Sequence, residues 1–269
     1  MLVGFALGAL IGFVSWRAGA LTVSGALAAA ITGGLIFGLG GVSWAMLLLT
    51  FFISSSALSR LLSKRKAVVN EKFSKGSRRD WGQVLANGGL GTLLVVAQTI
   101  WPEDNWPWIA FCGAMAAVNA DTWATELGIL SSHEPRLITN GKIVERGTSG
   151  GISLVGSLAA LGGASAISLL AACFPGEYAA SPGSTLSIIP AVVLGGLAGS
   201  FFDSLLGATV QAIYTCPQCQ KETERYPNHS CGADTCLKRG WSWLNNDWVN
   251  FFCSAAGAIT AWLFSQILL

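Results

Sequence analysis

Charge is what this chain has least of. Only 11% of its 269 residues are Asp, Glu, Lys or Arg, against 52% hydrophobic and 33 glycines, and its mean hydropathy is positive. A soluble domain carries about a quarter charged residues, so that class is excluded. With a net charge of only +2 there is no basic footprint for a nucleic acid. The first apolar run has no basic segment ahead of it and no A-x-A-like site after it, so residues 1 to 16 read as a helix rather than a signal peptide. No G-K-[ST] follows a spaced glycine, which excludes a Walker A loop.

What is present is apolar length. At about 1.5 Å per residue, runs long enough to approach or cross ~30 Å of hydrocarbon recur at about 1 to 16, 20 to 38, 41 to 60, 81 to 100, 107 to 130, 149 to 173, 185 to 214 and 248 to 269. The expected fold is therefore all-α, a polytopic integral membrane protein of about eight transmembrane helices. It divides into residues 1–215 with a phosphate-loop segment at 131–151, a Cys/His insert at 216–241, and a last helix within 242–269. Short basic loops stay cytoplasmic. If "SKRKAVVNEKFSKGSRR" is inside, alternation places all sixteen Lys and Arg on that face, leaving Glu103, Asp104 and Glu177 opposite and both termini outside. The plasma membrane is the expected location, and Lys64 to Lys75 are expected to set topology and touch anionic lipid. Trp16, Trp44, Trp81, Trp101, Trp106, Trp108, Trp241 and Trp248 fall near the ends of these runs, where interfacial tryptophans anchor helices.

An ionisable group inside the bilayer is costly and marks function by default. "NADTWATELG" puts Asn119, Asp121 and Glu126 in the fifth run, and "GSFFDSLLGATVQ" puts Asp203 and Gln211 in the seventh. Asp121 and Asp203 lie at matched depth, some 15 Å from the cytoplasmic end. Asp203, Gly207 and Gln211 share a helix face. Asp121 and Glu126 are about 140° apart on an ideal helix, so either the helix is distorted or they have different partners. Asn87 and Gln211 are equally consistent with interhelical hydrogen bonds. In "NNDWVN", Asn246 and Asn250 stack one turn apart with Asp247 beside them, while Asn245 or Asn246 could cap the helix.

"PRLITNGKIVERGTSGGISLVG" follows the fifth run. Its Gly147, Thr148, Ser149, Gly150 and Gly151 are expected at a helix N-terminus, where free N–H groups and the macrodipole favour an anion, with Arg136, Lys142 and Arg146 supplying cations. An ordinary Ser/Thr cap accounts for the same residues. Carboxylate and amide oxygens suit Mg²⁺, with Asp121, Asp203 and Asp247 the candidate ligands. Together with Glu126 and Asn250 they form the candidate catalytic set for phosphoryl transfer from a nucleoside triphosphate.

These segments, with "FFDSLLGATVQ", "WLNNDWVN" and "RRDWGQVLANGG", resemble the integral membrane family that includes phytyl-phosphate kinase and transmembrane protein 19. More distantly they are similar to CTP-dependent polyprenol kinases. The first resemblance carries over to Asp121, Glu126, Arg136, Lys142, Gly147, Thr148, Gly150, Asp203, Asn246, Asp247 and Asn250. Together the resemblances imply phosphorylation of an isoprenoid monophosphate with CTP as donor. A secondary transporter of a cation or a phosphorylated lipid would use the same intramembrane acids, and a non-catalytic scaffold is a third reading.

The insert "CPQCQKETERYPNHSCGADTCLKRGW" offers Cys216, Cys219, His229, Cys231 and Cys236, five candidates for four-coordinate structural Zn²⁺. A cytoplasmic location favours metal over disulfides. Cys112, Cys173 and Cys253 lie in apolar runs and read as packing residues.

Overall fold

The structure, a computed structural model, describes residues 1–63, 78–177 and 188–268. The expectation for Lys64 to Lys75 therefore lies outside the described residues, as does the start of the seventh run. The helices are α1 (Leu2–Arg17), α2 (Val23–Leu61), α3 (Trp81–Ile100), α4 (Trp106–Gly128), α5 (Leu154–Ala172), α6 (Ile188–Thr209) and α7 (Asn246–Leu268). Of these, α2, α3, α5, α6 and α7 are long and apolar enough to cross a membrane, and α1 is a shorter apolar helix.

The second and third runs are continuous as α2, broken at Gly41 with φ 79° and ψ −158°. Only glycine adopts that backbone without strain. The break is a reversal. Arg60, near the end of the second arm, hydrogen-bonds the Ala18 carbonyl just ahead of the first arm. Arg79 links the same two places, exchanging backbone bonds with Ala20 and Thr22 while its guanidinium lies 5.4 Å from the Phe51 ring centre.

α4 is the hub, packing against α2, α3, α5, α6 and α7. Its tryptophans, Asn119 and Asp121 lower its hydropathy, yet every residue from Pro107 to Ala120 is buried. Small residues allow the closest crossings. A Cβ added to Gly113 would fall 2.4 Å from the Gly257 carbonyl oxygen, and one on Gly199 would fall 2.4 Å from Cβ of Ala117. Trp44 and Trp108 belong to this core rather than to an interfacial belt. Each is 1% exposed or less, and their rings meet edge to face at 5.3 Å.

The chain is not purely helical. β1 (Arg136–Leu137) pairs antiparallel with β2 (Gly151–Ile152), and β3 (Ile213–Cys216), β4 (Lys221–Thr223) and β5 (Cys236–Arg239) form an antiparallel sheet in the order β4-β3-β5. The second sheet is the Cys-rich insert, whose knuckle and turns give it no helical period. Its base is fixed to the bundle by Ala212 N–H to the Leu244 carbonyl and Trp241 N–H to the Val210 carbonyl, each 2.9 Å.

The described basic residues gather toward one end of the bundle. The α1–α2 turn, the end of α2, the start of α3, the 131–153 segment and the insert meet at one end, bringing Arg17, Arg60, Arg79, Arg136, Lys142 and Arg146 with them. At the other, Glu177 accepts a 2.6 Å bond from Ser43 Oγ beside the Gly41 reversal.

Candidate functional site

At the basic end, the termini of α2 to α7 enclose a cavity of about 340 Å³. Asp121, Glu126, Asp203 and Asn250 line it, as do Arg146 and Gly147–Gly151. These residues come from four elements far apart in sequence. Asn246 also lines the cavity, whereas Arg136, Lys142 and Asp247 are outside its lining. The side chains of Arg136 and Lys142 are exposed, and Arg136 is turned onto the Gly141 carbonyl of its own hairpin at 2.9 Å.

Asp121 accepts a hydrogen bond from Ser200 of α6 and is near enough to Asp203 for their charges to interact. Among the described residues, Asp203 Oδ2 is buried with no hydrogen-bond partner. Glu126 instead accepts from Ser59 Oγ of α2 at 2.5 Å. The angular separation of the two α4 acids is therefore resolved by different partners around one wide cavity. Since α4 ends at Gly128 and α6 at Thr209, Asp121 and Asp203 sit only about 10 Å from their helix ends, shallower than expected but still level. Asn119 serves another purpose. It is fully buried, donates to the Gly163 carbonyl at 2.8 Å and accepts from Ser54 Oγ at 3.0 Å, tying α4 to α5 and α2.

The glycine loop is not at a helix N-terminus. α5 starts at Leu154 with Ser153 as its cap, accepting from Gly156 N–H. Thr148 N–H and Gly151 N–H are taken by the Glu145 and Thr148 carbonyls. The close approach that Gly150 makes is to α6, because at φ 83° an added Cβ would lie 2.5 Å from Ala208 Cβ. This contact, with Gly207 opposite, seats the loop over the last turns of α6, beside Gln211, which lies just past the helix end rather than on its face. Asn245 is the cap of α7, its Oδ1 accepting from Asp247 N–H and Trp248 N–H at 3.0 and 3.2 Å. Asn250 hydrogen-bonds the Asn246 carbonyl at 2.8 Å.

Two charged lining residues escaped the sequence reading as site residues. Arg79 borders the cavity, and burial lowers its guanidinium to about 10 with Glu126 acting in the opposite direction, so it stays charged at neutral pH. Glu224, just after β4, accepts from Ser149 Oγ at 2.8 Å and from Gln211 Nε2 at 2.9 Å. The insert thus reaches back to the glycine loop, a contact without any periodic signal in the sequence.

Within the insert, Cys216, Cys219, His229 and Cys231 hold their ligand atoms within 4.8 Å of one another. Cys216 and Cys231 sulfurs are 3.5 Å apart, and His229 Nδ1 is 3.2 Å from Cys231 Sγ. Cys236 on β5 is not in the group. Burial opposes ionisation of Cys216, but hydrogen bonds, including those from the Cys219 and Gln218 amides, outweigh it and bring the thiol below its ordinary value. A thiolate is the form that binds metal, so three sulfurs and one imidazole could hold a metal ion here.

The profile of an integral membrane family, integral membrane protein DUF92, matches residues 6–258. Protein PGR of Arabidopsis thaliana is 37% identical over 220 residues, covering 75% of this chain and 76% of that one. An uncharacterized membrane protein of Methanocaldococcus jannaschii is 36% identical over 185 residues, 68% of this chain and 72% of its own. Protein VTE6, chloroplastic, of Arabidopsis thaliana is 25% identical over 254 residues, 93% of this chain and 66% of its own. No solved structure matches.

Proposed function

Because the chain belongs to the DUF92 family of integral membrane proteins, we propose that it is a membrane-embedded kinase that phosphorylates an isoprenoid monophosphate from a nucleoside triphosphate. The carrying observation is that one cavity is lined by Asp121, Glu126 and Asp203 together with Arg146 and Gly147–Gly151. CTP as donor rests on the likeness to polyprenol kinases. An anionic oxygen of the lipid phosphate attacks the γ-phosphorus, the bond from that phosphorus to the β–γ bridging oxygen breaks, and the nucleoside diphosphate leaves with those electrons. The attacking oxygen is already ionised, so no general base is required. Arg79 and Arg146 offset the phosphate charges, and the amides of Asn246 and Asn250 orient phosphate oxygens.

The oxygen donors of Asp121, Asp203 and Asn250, with Asp203 Oδ2 buried and unpartnered, fit a hard divalent cation such as Mg²⁺. When bound, Mg²⁺ would neutralise charge on the phosphates. The Cys₃His group fits structural Zn²⁺. The basic end faces the cytoplasm in this reading, where the nucleotide is, with the plasma membrane as the location and both termini opposite.

A transporter would need a route through the bundle. Beyond the acids the centre is filled by Trp44, Trp108 and Phe111, each 1% exposed or less. γ-Labelled nucleotide offered to the protein in liposomes with phytyl or prenyl monophosphates should yield labelled lipid diphosphate. Uptake of either compound without label transfer would establish the transporter instead.

A further inference from the structure

A second cavity, of about 170 Å³, lies between α1, the two arms of α2 and α3. Its lining is almost wholly apolar, including Leu7, Ile11, Phe37, Met46 and Phe52. Thr32, also in the lining, spends its hydroxyl on the Ala28 carbonyl of its own helix at 2.9 Å. Three polar residues of this lining, Arg79, Gln83 and Asn87, also line the polar cavity. The two spaces therefore meet along one polar border.

We propose that this groove takes the hydrocarbon tail of the lipid phosphate whose headgroup enters the polar cavity, with Arg79 at the junction receiving the phosphate. The inference rests on the lipid-kinase reading and adds the acceptor's path. Arg79 is fixed for that task, since its backbone is bonded to Ala20 and Thr22 and its guanidinium lies against the rings of Phe51 and Phe52. Along the first arm of α2 the lining reaches from the level of Arg79 to Phe37. At about 1.5 Å per residue that is roughly 20 Å, two-thirds of a ~30 Å hydrocarbon core. The enclosed volume is small for this length because one wall is missing. Leu7, Val42 and Met46 border the groove and are 39%, 60% and 40% exposed, so it opens sideways toward lipid. A long chain can slide in from the bilayer while its phosphate stays at the polar end, without passing through water.

Two glycines permit a test that spares the fold. Gly33 and Gly88 both line the groove, and beyond its own helix backbone a Cβ on either would meet no atom of the described residues within 4 Å. Gly33→Leu and Gly88→Leu therefore fill the groove without a close contact at Cβ. The probe is geranylgeranyl monophosphate with a diazirine near its distal carbons, photolysed in liposomes and mapped by peptide mass spectrometry. Labelling should concentrate on Leu7, Ile11, Phe37 and Met46. Each leucine variant, shown to be folded by its thermal midpoint, should reduce it on the order of tenfold, since displaced methylenes lose their burial. The labelling needs neither nucleotide nor phosphoryl transfer, so failure of the kinase reading leaves this result intact. Equal labelling of all lipid-exposed helices, or labelling unchanged in both folded leucine variants, would overturn the groove assignment.

Discussion

Two intramembrane polar residues, Asn119 on α4 and Asp203 on α6, have opposite tasks. Asn119 is buried and has protein partners on both sides of its amide, whereas Asp203 has an oxygen with none. Asn119→Leu should therefore lower stability by about 1 kcal/mol through lost interhelical hydrogen bonds, read as a reduced unfolding midpoint in detergent. An unchanged midpoint with abolished phosphoryl transfer would put Asn119 in the chemistry instead. Asp203→Asn should do the reverse, leaving the midpoint intact or raised because a buried charge is removed, while turnover falls at least about tenfold and requires more Mg²⁺. Normal turnover at low Mg²⁺ would remove Asp203 from the site. The sequence singled out both residues because polarity in an apolar run is legible, but it cannot say whether a partner waits on the next helix. Gly150 illustrates the same limit. Its glycine is required by the close approach of Ala208, a neighbour that the local sequence does not announce.

Among the elements, the long helices were the most legible, since apolar length alone delimits them. Their ends were less so. α5 begins at Leu154 rather than at residue 149 because the preceding residues close a small β-hairpin, whose hydrogen bonds a hydropathy pattern does not encode. The insert was legible through its cysteines, four of the five candidate ligands meeting as one group. Its reach back to the glycine loop was not, because that contact is made by the side chain of Glu224, which belongs to no motif. If metal orders the insert, a strong chelator should withdraw Glu224 from Ser149 and Gln211, reducing turnover several-fold without unfolding the helices. Cys231→Ser should reproduce this with loss of bound zinc, and Cys236→Ser should retain about one zinc per chain by elemental analysis. Equal zinc loss in both variants would redraw the ligand set.

For the whole molecule, alternation of the apolar runs anticipated that the described basic segments share one end, while the second and third runs prove to be one helix that reverses at Gly41. The central position of α4 was hidden, because hydropathy ranks it below helices that it organises. Its packing depends on an absence of side chains. Gly113, Gly199 and Gly257 bring backbones together so closely that an added Cβ would lie 2.4 to 2.5 Å from a neighbouring atom. In the genetic code, every single-base change at the first or second position of a glycine codon either installs a side chain or stops translation. At these three codons even the mildest missense change, to alanine, forces the helices apart. Inherited variation there should thus be confined to the third base.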